Sequence, residues 1–175
     1  GNNFIEIAHF FKEKFDLSES IDEIMSEWTE MVAYHYEHDV KLKPGAKQLL
    51  EYLRKNNVKM GIGTSNSLPL AKIVLKANEV LEFFDSIVAG CEEVRGKPFP
   101  DIFKTVANHL DVKPEECLVI EDVLAGVQAA KNANMKVYGI YDKNSEHEKG
   151  QIKKQVDFYA ENFRELLGKI KTIVE

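Results

Sequence analysis

Between Val58 and Ala160 the chain repeats one pattern, and that pattern restricts the fold more than any other feature. Five short apolar runs, Val58–Gly63, Phe84–Ala89, Cys117–Ile120, Lys136–Tyr141 and Val156–Ala160, are each too short for a buried helix. Segments of helical period lie between them. Leu49, Leu50 and Leu53 mark one such face after Pro44, a residue favoured in a first helical turn. Leu70, Ile73, Val74 and Leu75 mark a second. Ile102, Phe103, Val106 and Leu110 mark a third, after Pro100-Asp101. Val123–Ala133 and Glu161–Val174 read as two more helices. Such alternation predicts an α/β domain: a Rossmann-like parallel sheet with helices on both faces and right-handed crossovers. Cys117–Ile120 is continuously apolar, as a strand covered on both faces should be. Lys143–Lys154, rich in charge and carrying Gly150, reads as a mobile loop.

The residues ahead of this pattern differ. Phe4, Ile7, Ala8, Phe11 and Phe15 fall at helical spacing, with Asn3 and Glu6 placed as a capping box. Ile21, Ile24, Trp28, Met31 and Val32 mark a second helix that Ser18 or Ser20 can cap. The change near Asp39–Lys43 divides the chain into a helical part, residues 1–40, and an α/β part, residues 41–175.

Bulk properties exclude several function classes. With 175 residues the chain can bury a sizeable core. Its formal net charge of −6 argues against a general nucleic-acid binder, although a pocket for a small anion remains compatible with it. The two cysteines, Cys91 and Cys117, form no metal-ligand spacing and no disulfide framework, and Cys117 is expected to be a buried thiol. No apolar stretch approaches a membrane span, and the start lacks the pattern of a signal peptide. A cytoplasmic location follows as the expectation. Gly1, where a methionine would begin a gene product, is expected of a processed or truncated start. The oligomeric state stays open.

In an open parallel sheet, ligands bind beyond the carboxyl ends of the strands. After the first run stands Thr64-Ser65-Asn66-Ser67, a set of hydroxyls and backbone N–H groups at a helix start, which suits an anion. Ser67 or Asn66 acting only as a helix cap explains the same segment. After the second run, prolines flank Lys97 in Lys97-Pro98-Phe99-Pro100-Asp101. A lysine fixed beside a phosphate contributes up to about 4 kcal/mol of gross attraction at 4 Å and an effective dielectric of about 20. An exposed lysine in a proline-rich turn, with Asp101 as cap, is the plainer alternative. After the third run stand Glu121 and Asp122, hard oxygen ligands of the kind that hold Mg²⁺ together with phosphate and water. Asp122 as a helix cap beside a solvated Glu121 is the competing reading.

Taken together and in this order, the three segments resemble the haloacid-dehalogenase superfamily of phosphohydrolases, in the branch similar to β-phosphoglucomutase. The likeness rests on Gly61-Ile62-Gly63-Thr64-Ser65-Asn66, on Lys97 within Gly96-Lys97-Pro98-Phe99-Pro100-Asp101-Ile102-Phe103, and on Val119-Ile120-Glu121-Asp122-Val123-Leu124-Ala125-Gly126-Val127-Gln128-Ala129-Ala130. The resemblance runs from about Leu42 to the C-terminus, and it implies that the two leading helices are part of a helical cap. It implies a Mg²⁺-dependent phosphatase acting on a small phosphorylated metabolite such as a sugar phosphate. Thr64, Lys97 and Asp122 would then be catalytic. Thr64, Ser65, Asn66 and Lys97 would bind phosphate, Asp122 and Glu121 would serve the metal, and Gly126 would allow close helix packing.

The chain departs from that pattern in one respect. The family's first motif is an apolar strand ending in Asp-x-Asp, whose first aspartate attacks phosphorus, and no Asp-x-Asp occurs among the 175 residues. Phe15-Asp16-Leu17-Ser18 follows a charged helix and puts serine at the second position. Phosphate-monoester hydrolysis demands acceleration of up to about 10²¹-fold, which a hydroxyl grip and a lysine cannot supply. The expectation is therefore an N-terminally truncated form, inactive as it stands, with no nucleophile in this chain and with unpaired strand edges where the central strand would lie. The alternative is a non-catalytic phosphate-binding or regulatory protein. A phosphoreceiver domain is rejected, because its acidic pocket would precede the Thr and Lys. Asn2-Asn3-Phe4-Ile5 offers no basic residue for a second phosphate, which disfavours a bisphosphate-cycling mutase.

Overall fold

A computed structural model describes residues 4–90 and 95–174, with side chains from Ile7 onward. The proposed capping box at Asn3 and Glu6, the Asn2–Ile5 side chains and Cys91 lie outside the described residues.

The chain forms two compact units, residues 1–40 and 41–175. The first holds α1 (Phe4–Phe15) and α2 (Ile21–His38). Ser20 caps α2 through a full capping box: its hydroxyl accepts from Glu23 N at 3.2 Å, while Glu23 Oε2 accepts from Ser20 N at 2.8 Å. Of the two serines open to that role, Ser20 takes it. Ala8 and Ile24 are buried, and Phe11 meets Trp28 edge-on with ring centroids 5.3 Å apart. Phe10, Phe15, Met31 and Tyr34 remain exposed within this unit.

The second unit alternates as the sequence predicts. Its elements are α3 (Ala46–Lys55), β1 (Gly61–Thr64), α4 (Leu68–Ala77), β2 (Ser86–Ala89), α5 (Asp101–His109), β3 (Leu118–Glu121), α6 (Leu124–Asn132), β4 (Lys136–Ile140), α7 (Lys149–Gln155), β5 (Phe158–Ala160) and α8 (Phe163–Val174). All pairings are parallel, but the strands sort into two sheets, β1–β2 and β3–β4–β5. β1 and β3 share no ladder among the described residues. The interruption shows in burial. β4, paired on both sides, is buried from Val137 to Ile140, whereas Leu118, Val119 and Ile120 of β3 are only half-buried. The apolar run at β3 thus has one edge without a ladder among the described residues, while both its faces are covered as expected: Val119 packs against the core of α5 and α6, and Leu118 and Ile120 pack against that of α3 and α8.

Helices span the interruption. On one face Ile102, Phe103, Val106 and Ala107 of α5 join Val88 of β2 to Val127, Ala129 and Ala130 of α6 in one core. On the other, Leu49 of α3 packs with Tyr138, Ile140, Ala160, Leu166 and Ile170.

Two expectations are corrected. Lys143–Lys154 is ordered as a 3-10 segment, Lys143–Glu148, running into α7, because Ile152 is drawn to 1% exposure in the core. Glu148 then accepts from Leu124 N at 2.9 Å and ties this segment to the start of α6. Cys117 is half-exposed rather than buried, with its thiol donating to Lys113 O at 3.3 Å.

Candidate active site

The three segments singled out in the sequence occupy the carboxyl ends of β1 and β3 and the connection after β2. Thr64 closes β1, and its carbonyl accepts from Gly90 N at 2.6 Å, which joins the ends of β1 and β2. A Cβ on Gly90 would lie 3.2 Å from Ser65 Cα, so the two backbones approach closely there. The Thr64 hydroxyl accepts from Asn66 N at 3.1 Å, and Asn66 Oδ1 accepts from Ser67 N at 2.9 Å. Ser67 is the cap of α4, accepting from Leu70 N at 3.4 Å. The capping role therefore falls on Ser67, and Thr64 and Ser65 stand one step nearer the strand end.

Lys97 is not an exposed turn lysine. Its side chain is 14% exposed; it donates to Glu121 Oε1, and its ammonium sits 5.0 Å from the Phe103 ring centroid. The proline turn is held from outside, because Asn132 Nδ2 at the end of α6 donates to Pro98 O at 3.0 Å. Asp101 does not cap α5. It opens that helix and takes a two-point ion pair from Arg95 at 3.0 and 3.1 Å, which lowers its carboxyl below the usual range.

Glu121 ends β3 with its side chain 8% exposed, so it is not the solvated residue of the plainer reading. Its second oxygen accepts from Asp122 N at 3.1 Å. Gly126 gives this carboxylate its room: a Cβ there would fall 2.2 Å from Glu121 Cδ. Asp122 is no cap either, since Val123 holds that position on α6. Its carboxylate instead takes Lys43 Nζ at 3.1 Å, and the same ammonium reaches Asp142 Oδ2 at 2.5 Å. Burial pulls the Lys43 pKa down, but the hydrogen bonds to Asp142 and Asp122 outweigh it and hold it above the ordinary lysine value. Asp142 is lowered in return, by Lys43 first and by the Asn144 N–H second.

Lys43 and Asp142 were not singled out in the sequence. Asp142 follows β4 by two residues, so the question asked of the first three runs would have found it at the fourth. Lys43 lies 79 residues from Asp122 and 99 from Asp142, and nothing in its neighbourhood marks it.

Among the described residues no group of three or more His, Cys, Asp or Glu side chains gathers to hold a metal ion. Asp122 fits Mg²⁺, which takes one or two carboxylates and completes its shell with water and phosphate, whereas both oxygens of Glu121 are engaged by Lys97 and Asp122 N. The Asp122 carboxylate already carries one cation, the Lys43 ammonium.

A parallel α/β unit with a hydroxyl-rich strand end, a half-buried lysine and an acidic pair defines a class, and comparison with known proteins places the chain within it. The family profile described as haloacid dehalogenase-like hydrolase matches residues 1–140, and the chain belongs to that family. It is 39% identical over 99 residues to β-phosphoglucomutase of Bacillus subtilis, covering 57% of this chain and 43% of that one. A probable pseudouridine-5'-phosphatase of Drosophila melanogaster is 33% identical over 171 residues, covering 90% of this chain and 72% of that one. The structure of CbbY from Rhodobacter sphaeroides in complex with phosphate superposes with a TM-score of 0.76 at 30% identity, over 86% of this chain and 67% of that one. The chain spans 37% to 53% of the length of several curated relatives it matches. No helix among the described residues is long and apolar enough to cross a membrane.

Proposed function

We propose that these residues belong to a Mg²⁺-dependent phosphoric monoester hydrolase acting on a small phosphorylated metabolite, a sugar phosphate or a nucleoside monophosphate. The observation that carries this reading is Lys97. Its ammonium, with a side chain 14% exposed, is held by Glu121 at the carboxyl end of β3, next to Asp122, which is where ligands of a parallel sheet bind. Relatives named as β-phosphoglucomutase, phosphorylated carbohydrates phosphatase and pseudouridine-5'-phosphatase support the substrate class.

In this reading the Thr64 hydroxyl and the Ser65 backbone N–H hold phosphoryl oxygens, with Asn66 keeping the loop in register. Lys97 offsets charge on the phosphate. Asp122 holds the metal, which neutralises charge and orients the phosphoryl group when bound. Glu121 serves chiefly through Lys97, which it positions. The attacking carboxylate is supplied by an Asp-x-Asp strand that these 175 residues do not contain. Among the described residues β1 and β3 each have one edge without a ladder, and such a strand could pair with both. Helices α1 and α2 are part of a helical cap domain in this reading, and the protein works in the cytoplasm.

The test is hydrolysis of an aryl phosphate by a chain carrying an apolar strand with Asp-x-Asp ahead of Gly1. Asp122→Ala and Lys97→Ala should each lower kcat by at least about a hundredfold. Unchanged rates in either variant would remove that residue's role. The alternative, a non-catalytic phosphate-binding or regulatory protein, predicts binding of inorganic phosphate with no turnover in any form.

A further inference from the structure

We propose that Lys43 is a resident counter-cation that competes with a divalent ion for Asp122, and that Asp142 is the second berth to which it retreats. The inference rests on the reading of Asp122 as a metal ligand and adds a control on loading.

The geometry is a forked one. Lys43 Nζ lies 3.1 Å from Asp122 Oδ2 and 2.5 Å from Asp142 Oδ2, so one ammonium is shared and the closer contact is with Asp142. The two carboxylates stand on different supports. Asp122 follows β3 and Asp142 follows β4, neighbours in one ladder whose register pairs Glu121 with Gly139. Asp142 is the more sheltered, with its side chain 16% exposed against 37% for Asp122, and it also accepts from Asn144 N at 2.7 Å. Lys43 hangs from the segment before α3, on a four-carbon stem that can shorten its reach by a rotamer change.

Charge then decides what happens on loading. A divalent ion on Asp122 weakens the hold of that carboxylate on an ammonium, because at equal separation its repulsion of the lysine is about twice the attraction of a single carboxylate. Lys43 need not enter water to yield, since Asp142 retains it. Loading therefore exchanges one of two contacts instead of stripping a lysine of both partners. With no divalent ion present, the same lysine bridges Asp122 and Asp142 and offsets one of their two charges, which would otherwise repel each other.

The test is direct titration with Mn²⁺, read by electron paramagnetic resonance of the free ion, on the chain and on variants whose folding is verified by circular dichroism. Lys43→Met, with Lys43→Gln as its check, should tighten Mn²⁺ binding by about tenfold. Asp142→Asn should weaken it by a few-fold, because Lys43 is then left to Asp122 alone. In the Lys43→Met background Asp142→Asn should change nothing, the signature of a residue that acts only through the lysine. Equal or weaker binding by both Lys43 variants overturns the proposal. So does an Asp142→Asn effect of the same size with and without Lys43, which would make Asp142 a direct partner of the ion. Asp122→Asn separates the two levels: if it binds Mn²⁺ as the parent does, or if the parent binds none, Asp122 is not a ligand and the underlying reading falls. If Asp122→Asn abolishes binding while Lys43→Met leaves the parent affinity unchanged, the competition alone is wrong.

Discussion

Lys97 donates to Glu121 Oε1 across a space where the two side chains are 14% and 8% exposed, so each ion depends on the other for its charge to be tolerated. Removing one partner of such a pair strands a charge, whereas removing both leaves only a packing change. Lys97→Met should destabilise the α/β unit by about 3 kcal/mol, and Lys97→Met with Glu121→Gln should recover most of that loss. Urea titration checks both. A single variant as stable as the parent would mean the pair is open to water.

Gly126→Ala tests the space around the same carboxylate. The added methyl would overlap Glu121 Cδ at 2.2 Å, and the carboxylate is held by Lys97 on one oxygen and by Asp122 N on the other. An overpacked site of this kind costs about 1–3 kcal/mol. In a Glu121→Ala background the three atoms nearest the methyl are gone, and the cost should fall. An equal cost in both backgrounds would place the strain elsewhere.

Hydrogen exchange should report the interruption between the two sheets. β4 is paired on both sides, while among the described residues β1 and β3 are each paired on one side. Amides of Lys136–Ile140 should exchange most slowly, and those of Gly61–Thr64 and Leu118–Glu121 measurably faster. Peptide-level mass spectrometry resolves the three segments, and uniform protection would contradict the split.

The Arg95–Asp101 pair predicts a pH dependence of definite sign. The Arg95 hydrogen bond is the main cause holding Asp101 below its ordinary value of 3.8. A lowered carboxyl stabilises the fold fully above the unfolded value and loses that contribution as pH falls through the folded one. Thermal melts should therefore show Asp101→Asn trailing the parent by a constant margin above about pH 5 and converging on it below about pH 4. A margin that stays constant down to pH 2 would show the carboxylate to be uninvolved.

Much of this fold was legible because its signals are local. Ile102, Phe103 and Val106 face the core of α5 as their spacing predicts, and each strand falls within two or three residues of an apolar run. Glu121 and Asp122 could be placed because a strand so apolar rarely ends in two carboxylates without cause. Lys143–Lys154 was misread because its charges are dense and a single residue, Ile152, supplies the burial that orders it. The split of the sheet was not visible in periodicity, since strand order is decided by pairing between distant segments. Lys43 escaped for the same reason. Its importance lies in two partners that only the folded chain brings to it.

The hydroxyl-bearing end of β1 and the carboxylate-bearing end of β3 share no ladder of main-chain bonds among the described residues, and the packing of α5 on α6 connects them. A strand bonded to β1 along one edge and to β3 along the other would replace that side-chain packing with main-chain bonds, and so would fix the spacing of Thr64 from Asp122.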